Sequence, residues 1–531
     1  MLVQLHTATL FGIDAIACEV EVNISSRGFA APVIVGLPDA AVKESLERIR
    51  TAITNCGYQP PGNRTVINLA PADIRKEGPA FDLPIALGMI FANDGIAPPE
   101  LKEYVIVGEL ALDGRVRPIK GALSIAMMAQ SEGFRGVIVP RENANEAAVV
   151  DGLEVIAVAS LAEAVGFVVG QLPLEPTTVD LDQQFAQASA YDLDFADVRG
   201  QEFAKRALII AAAGGHNVLL VGPPGSGKTF MAKCLPTILP ALTLAESLET
   251  TRIWSASGKL PSGATLMATR PVRTPHHSAS SPALVGGGTI PQAGEVSLAH
   301  HGVLFLDEFP EFQRAILETL RQPMEDGCVT IARAHSVVRF PAEFMMVAAM
   351  NPCPCGYLSD PRKPCKCSQM QIERYRARIS GPLIDRIDIH ITVPAVPFDE
   401  LRNKKVGTDS KKMREEVLAA RNVQHARFAA SREQAAQSAG REETAVLTAA
   451  RATTTMLNAR MGPKLVRQHC PLDSAGETIL KQAMTELGLS ARAHDKVLRI
   501  SRTIADLAGS QRILPEHVSE AVNYRQLDRQ R

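Results

Sequence analysis

Gly222-Pro-Pro-Gly-Ser-Gly-Lys228-Thr229 follows the apolar run Val218 to Val221 and leads into the helix-like run Phe230 to Leu235. A strand, a glycine-rich loop and a helix in that order turn successive backbone N–H groups toward one point, and the glycines let phosphate oxygens come close. The G-x-x-x-x-G-K-T pattern gives Gly222, Pro223, Pro224, Gly225, Ser226 and Gly227 to a phosphate cradle, Lys228 to the β- and γ-phosphates, and the Thr229 hydroxyl to Mg²⁺. Further on, Val303-Leu-Phe-Leu-Asp307-Glu308 reads as a buried strand ending in two carboxylates, and Val347-Ala-Ala-Met-Asn351 as another ending in an amide. Two acids and an amide at strand C-terminal ends, facing a phosphate loop, make a site for ATP hydrolysis. Asp307 is then the outer-sphere Mg²⁺ ligand. Glu308 polarises the attacking water, and Asn351 orients that water or senses the γ-phosphate. The competing structural reading makes Asp307-Glu308 an exposed acidic turn and Asn351 a turn residue before Pro352.

At 531 residues the chain exceeds what one core supports, and 46% apolar content suits packed globular domains. No run of 18 or more apolar residues is present, and the N-terminus lacks a basic segment followed by an apolar stretch. Nine cysteines, four of them clustered, fit a reducing cytoplasm better than a disulfide framework. The net charge of −1 conceals an asymmetry: residues 401–531 carry 23 Lys/Arg against 14 Asp/Glu. A basic final quarter suits a polyanionic partner, or a helical domain with solvated Arg and Lys faces.

Residues 1–171 mix strands with helices. Val20-Glu-Val-Asn-Ile alternates with period two, Val33-Ile-Val and Val66-Ile-Asn-Leu are β-branched runs, and Val42 to Ile53 has helical spacing. Residues 172–194, rich in Pro, Thr, Gln and Asp, read as a linker. Residues 195–400 form the ATPase core, and 401–531 read as mostly helical, with a break at Gly462-Pro463.

Arg386, in Ser380-Gly-Pro-Leu-Ile-Asp-Arg386-Ile-Asp388, suits a finger that completes a neighbouring subunit's site. Arg492, in Ser490-Ala-Arg492, suits a lid contact to the γ-phosphate. Either could instead be an ordinary ion-pair partner. Here a family resemblance sharpens the reading. The arrangement resembles AAA+ ATPases of the helix-2-insert group, which includes magnesium chelatase subunits and MCM helicases. More closely, the whole chain resembles the ComM/YifB family. The stretches that carry this are Val35-Gly-Leu-Pro-Asp39, Asn68-Leu-Ala-Pro-Ala-Asp73, Lys76-Glu-Gly-Pro-Ala-Phe-Asp82, Pro275-His276-His277, Gly286-Gly-Gly288, Leu304-Phe-Leu-Asp-Glu308, Asn351-Pro-Cys-Pro-Cys-Gly356 and Ala521-Val-Asn-Tyr-Arg-Gln-Leu-Asp528. The resemblance implies an α/β fold with a P-loop AAA+ core, an N-terminal α+β domain of the Lon-protease (ribosomal S5 domain 2-like) type and a C-terminal helical lid. It also implies a homo-hexameric ring with Arg386 as finger and Arg492 as second sensor. The activity implied is that of a DNA helicase driving branch migration while incoming strands integrate during natural transformation.

The likeness of the first segment to the Lon proteolytic domain rests on Lys76-Glu-Gly-Pro-Ala80 and Gly108-Glu-Leu-Ala-Leu-Asp-Gly-Arg-Val-Arg-Pro-Ile119. That chemistry needs a serine activated by a lysine. The matching positions hold Ala80 and Leu123, and Lys120 nearby has no serine to activate, so the domain is expected to be inert.

Cys353-Pro-Cys355 and Cys365-Lys-Cys367 can close a tetrahedral thiolate site for Zn²⁺, or be reduced cysteines in a loop. For DNA, the stretch Cys328 to Arg339 reads as a β-hairpin with Arg333 and His335 at its tip, resembling the pre-sensor hairpin of related helicases. Arg270 and Arg273 lie in a second candidate region, and Arg421, Gln424 and Arg427 form a third, more often a solvated stripe. His300-His301 is expected to pack. Two rivals stand beside the DNA motor: a chelatase-type remodelling ATPase, and an unfoldase, for which the aromatic-hydrophobic-Gly pore loop is missing.

Overall fold

In a computed structural model the described residues are 1–25, 32–76, 78–181, 191–261, 263–288, 291–333, 336–358, 360, 363–396, 407–438 and 456–525. They form two compact units. The first comprises Met1–Ala188, Ser247–Ala268 and Ala332–Phe340; the second comprises Ser189–Glu246, Thr269–Ile331 and Pro341–Arg531.

The first unit is built on a seven-stranded mixed sheet in the order Val33–Val35, Thr65–Ala70, Asp14–Ile24, Leu2–Phe11, Tyr104–Ile106, Gly136–Pro140, Glu154–Val158. Its long hairpin pairs Leu2–Phe11 with Asp14–Ile24 antiparallel around the Gly12-Ile13 turn. Period-two alternation buries Val20 and Val22 and turns Glu19 outward. The helix Ala40–Asn55 starts where Asp39 accepts a hydrogen bond from the Val42 N–H at 2.7 Å, a side-chain cap of an otherwise orphaned donor. Ala80 sits in the short turn Pro79–Phe81, and Leu123 is buried in the helix Ala122–Ser131. Two sequence-distant segments complete this unit. Leu248 and Leu266 pack on the cluster that contains Leu123, Val137 and Val155, and Arg252 pairs with Asp14. In the third segment, Val338 lies against the Gly12 turn so closely that a Cβ on Gly12 would come within 2.5 Å of it.

The second unit holds a five-stranded sheet in the order Val272–Arg273, Val303–Leu306, Met345–Met350, Val218–Val221, Ile389–Thr392. Every neighbouring pair is parallel, so all C-terminal ends lie along one edge. The three central strands are apolar and buried throughout, as a parallel sheet covered by helices requires. Helices Glu202–Gly214, Ser410–Ser438, Pro463–His469, Ser474–Leu487, Ala491–Leu507 and Pro515–Asn523 belong to the same unit. Gly462-Pro463, the break expected from sequence, is a helix start: Gly462 caps and Pro463 takes the first-turn position.

The third DNA candidate is corrected by this packing. Arg421 donates to the Ala212 carbonyl at 2.7 Å and Gln424 to the Ala213 carbonyl at 3.1 Å. Both are buried, and they satisfy the free carbonyls that end the helix Glu202–Gly214. Arg427 meets Asn458 and Asp506, so this face joins helices and is not a solvated stripe.

Candidate functional site

The glycine-rich loop of residues 222–227 leaves the C-terminal end of Val218–Val221 and enters the helix Lys228–Cys234. Gly227, at φ +87°, stands in the left-handed region at the helix start, which a side chain would strain. The Lys228 amine, largely buried, donates to the carbonyls of Gly222 at 2.8 Å and Pro223 at 2.9 Å and lies 3.4 Å from the Ser226 hydroxyl. Burial lowers its pKa, and Asp307 opposes that shift. The loop curls around the cation that the sequence assigned to phosphate oxygens.

Asp307 and Glu308 follow Val303–Leu306, the strand two places away. The Thr229 hydroxyl donates to Asp307 Oδ2 at 2.7 Å, and the Glu308 N–H donates to Asp307 Oδ1 at 2.9 Å. A hydroxyl and a carboxylate at this separation are hard oxygen donors that fit Mg²⁺ with substrate phosphates. Glu308 is exposed and adopts a left-handed backbone, φ 50°. Buried Phe309 and Phe312 anchor the turn beneath it. Asn351 follows Met345–Met350, the strand between the other two. Lys228, Thr229, Asp307, Glu308 and Asn351 line one cleft of ≈ 440 Å³ with Gly225, Gly227 and Phe230. One partner was missed from sequence: His277 Nδ1 lies 3.3 Å from Glu308 Oε2. The Pro275-His276-His277 doublet was the visible signal, but its target lies on another strand's end.

Arg386 lies in the turn between Gly381–Ile384 and Ile389–Thr392, and bonds the Pro382 carbonyl at 2.7 Å and Glu325 at 2.6 Å. Val218 pairs with Ile389 and Val221 with Thr392. Arg386 therefore sits at the N-terminal edge of the sheet, opposite the phosphate loop. Arg492 is exposed in the first turn of Ala491–Leu507. Neither is brought into the cleft among the described residues.

The DNA candidates divide. Arg270 is buried, donating to the Pro240 and His301 carbonyls at 2.6 Å and pairing with Glu246 at 3.0 Å. A guanidinium so enclosed is not available to a phosphate backbone, which corrects the sequence reading. Arg273 bonds Glu295 at 2.8 Å and is only partly exposed. Arg333 is exposed at the end of Cys328–Arg333, which pairs with Ser336–Pro341 in a hairpin; His335 lies outside the described residues. His300 is buried and accepts the Glu343 N–H at 3.0 Å, so the His300-His301 doublet packs as expected. Cys353, Cys355, Cys365 and Cys367 come together, all sulfurs within 4.8 Å of one another.

The parallel sheet, the glycine loop and the acid pair describe a magnesium chelatase-like protein of the AAA+ class. Three family models match: magnesium chelatase, subunit ChlI, over residues 194–401; subunit ChlI of Mg-chelatase over 20–143; and magnesium chelatase, subunit ChlI C-terminal, over 407–525. The chain is 41% identical to competence protein ComM of Haemophilus influenzae and 40% identical to YifB of Escherichia coli, each over 99% of this chain and 97% of the relative. It belongs to the ComM/YifB family. A partial likeness links it to Lon protease 2 of Bacillus subtilis, 26% identical over 32% of each chain. Among the described residues no helix is long and apolar enough to cross a membrane.

Proposed function

We propose that this protein is a P-loop AAA+ ATP hydrolase that assembles as a homo-hexameric ring and translocates on DNA, promoting branch migration during DNA integration in natural transformation. The observation that carries the hydrolase reading is the convergence of Lys228, Thr229, Asp307, Glu308 and Asn351 on one cleft at the C-terminal edge of a parallel sheet. Lys228 exchanges its loop carbonyls for β- and γ-phosphate oxygens. Thr229 and Asp307 hold Mg²⁺, which neutralises developing phosphate charge. Glu308 orients the attacking water, and Asn351 fixes the γ-phosphate side of the cleft. Arg386 serves a neighbour's site, because its own lies across the sheet; Arg492 acts from the helical lid. The DNA reading is supported by the whole-length similarity to a protein named for competence, by exposed Arg333 on a hairpin, and by the basic charge excess of residues 401–531.

The cofactors of this reading are ATP and Mg²⁺, with Zn²⁺ on Cys353, Cys355, Cys365 and Cys367. Nine free cysteines suit a cytoplasmic location. The N-terminal domain is an inert scaffold, since Ala80 and Leu123 occupy the positions of a nucleophile and its base. Residues 1–171, a linker at 172–194, a core at 195–400 and a lid at 401–531 remain the proposed domains, although the compact units cross these bounds at 247–268 and 332–340.

The test is ATP turnover by the full chain without DNA and with linear, forked and four-way DNA across salt concentrations. Stimulation by branched or single-stranded DNA that weakens with salt is expected. No stimulation by DNA, with stimulation by a protein substrate, would transfer the reading to a remodelling ATPase.

A further inference from the structure

The four cysteines are placed with more order than a reduced loop requires. Cys353 Sγ lies 3.4 Å from Cys355 Sγ and 3.6 Å from Cys365 Sγ, and Cys355 lies 3.5 Å from Cys365. A disulfide would bring two sulfurs to roughly 2 Å. A tetrahedral ion with metal–sulfur bonds near 2.3 Å sets its sulfurs about 3.8 Å apart, close to what is observed. Backbone N–H groups point at the same sulfurs: Cys355 N to Cys367 Sγ at 3.4 Å, and Cys367 N to Cys365 Sγ at 3.5 Å. Such donors orient and stabilise thiolate ligands.

The cluster is also joined to the cleft. Cys353, fully buried, comes two residues after Asn351. Gly356, at φ +83°, closes the turn, with its N–H donated to the Cys353 carbonyl at 3.0 Å. A Cβ on Gly356 would meet Pro224 of the phosphate loop at 2.8 Å and the Asn351 side chain at 3.8 Å. The turn that carries two cysteines thus lies against both the phosphate loop and Asn351.

We propose that the four cysteines bind one Zn²⁺ ion and that this metal braces the nucleotide cleft, holding the Cys353–Gly356 turn against Pro224 and Asn351 so that metal loss weakens nucleotide binding. The proposal rests on reading the cleft as a nucleotide site and the cysteines as a zinc site, and the test separates the three. Zinc content and the affinity for a fluorescent ATP analogue are measured on the full chain, before and after a chelator and again after Zn²⁺ is restored, with circular dichroism alongside. One zinc per chain and a reversible loss of affinity of about 10-fold or more, the fold retained, are expected. Gly356→Ala keeps all four cysteines; it should retain zinc and lose affinity. Lys228→Ala should retain zinc and lose nucleotide. Absence of zinc from the freshly purified chain overturns the metal site. Absence of analogue binding by the zinc-loaded wild type overturns the nucleotide reading. Unchanged affinity after zinc removal, or affinity lost only together with the helical signal, overturns the brace.

Discussion

Lys228 and Glu308 face the same cleft from different physical circumstances. The amine is buried among carbonyls, so Lys228→Ala removes a desolvated cation from the place where the proposed function puts phosphate charge; nucleotide affinity should fall by about 100-fold, the effect of losing a charge-assisted contact worth about 3 kcal/mol, measured by titration with a labelled analogue. Glu308 is exposed, and Glu308→Gln should keep affinity while phosphate release stops. Normal release by Glu308→Gln would remove Glu308 from the role of water-orienting base. His277 Nδ1, 3.3 Å from a Glu308 oxygen, would on the proposed reading compete with the attacking water for it. An exposed pair is worth up to about 1 kcal/mol, so His277→Ala should raise basal turnover by up to about fivefold without changing affinity. A lower rate would give His277 a positioning role instead. These residues were unequally legible. The phosphate loop is contiguous, and its glycines and lysine are read in one glance. The His277–Glu308 contact joins turns that follow two separate strands, and the burial of Arg270 depends on carbonyls of the Pro240 and His301 turns, which no local pattern announces.

Among the elements, the start of Ile389–Thr392 is fixed by a buried charge group. Asp388 bonds Lys496 at 2.6 Å, lies 3.6 Å from His216 and accepts the Asn217 N–H at 3.1 Å, while Arg525 bonds the Ile387 carbonyl. Burial alone would raise the Asp388 pKa, but Lys496 and His216 overcome it and hold the carboxyl well below its usual range. A carboxyl lowered in the folded state stabilises fully above its unfolded pKa of about 3.9, and that contribution fades as pH falls through the folded value. Lys496→Met strands the carboxylate and should cost about 3–5 kcal/mol in denaturant unfolding at neutral pH. Adding Asp388→Asn should recover part of the loss; no recovery would mean that packing, not charge, sets the cost. Element types were largely visible beforehand: the period-two run at Val20, the β-branched run at Val66 and the helix from Val42 all appear. The roles of Arg421 and Gln424 were not, because a helical stripe of polar residues looks the same whether it meets water or another helix's last carbonyls.

At the scale of the molecule, the compact units are not the linear blocks that composition suggests. Residues 247–268 pack with the N-terminal sheet, Leu248 and Leu266 lying on an apolar cluster there. A chain starting at residue 190 should therefore expose these leucines and aggregate, and Leu248→Asp with Leu266→Asp should restore its solubility, read by light scattering. The boundary was illegible because a helix's apolar face names no partner. The parallel sheet sends Arg386 to one edge and the phosphate loop to the other, which gives the proposed finger a kinetic signature. An isolated chain in dilute solution would hold ATP yet seldom cleave it. Specific turnover would climb with protein concentration and reach a plateau once every cleft has a neighbour. Doping with Arg386→Ala chains would then slow the wild-type molecules themselves, each missing arginine silencing a catalytic centre that belongs to someone else.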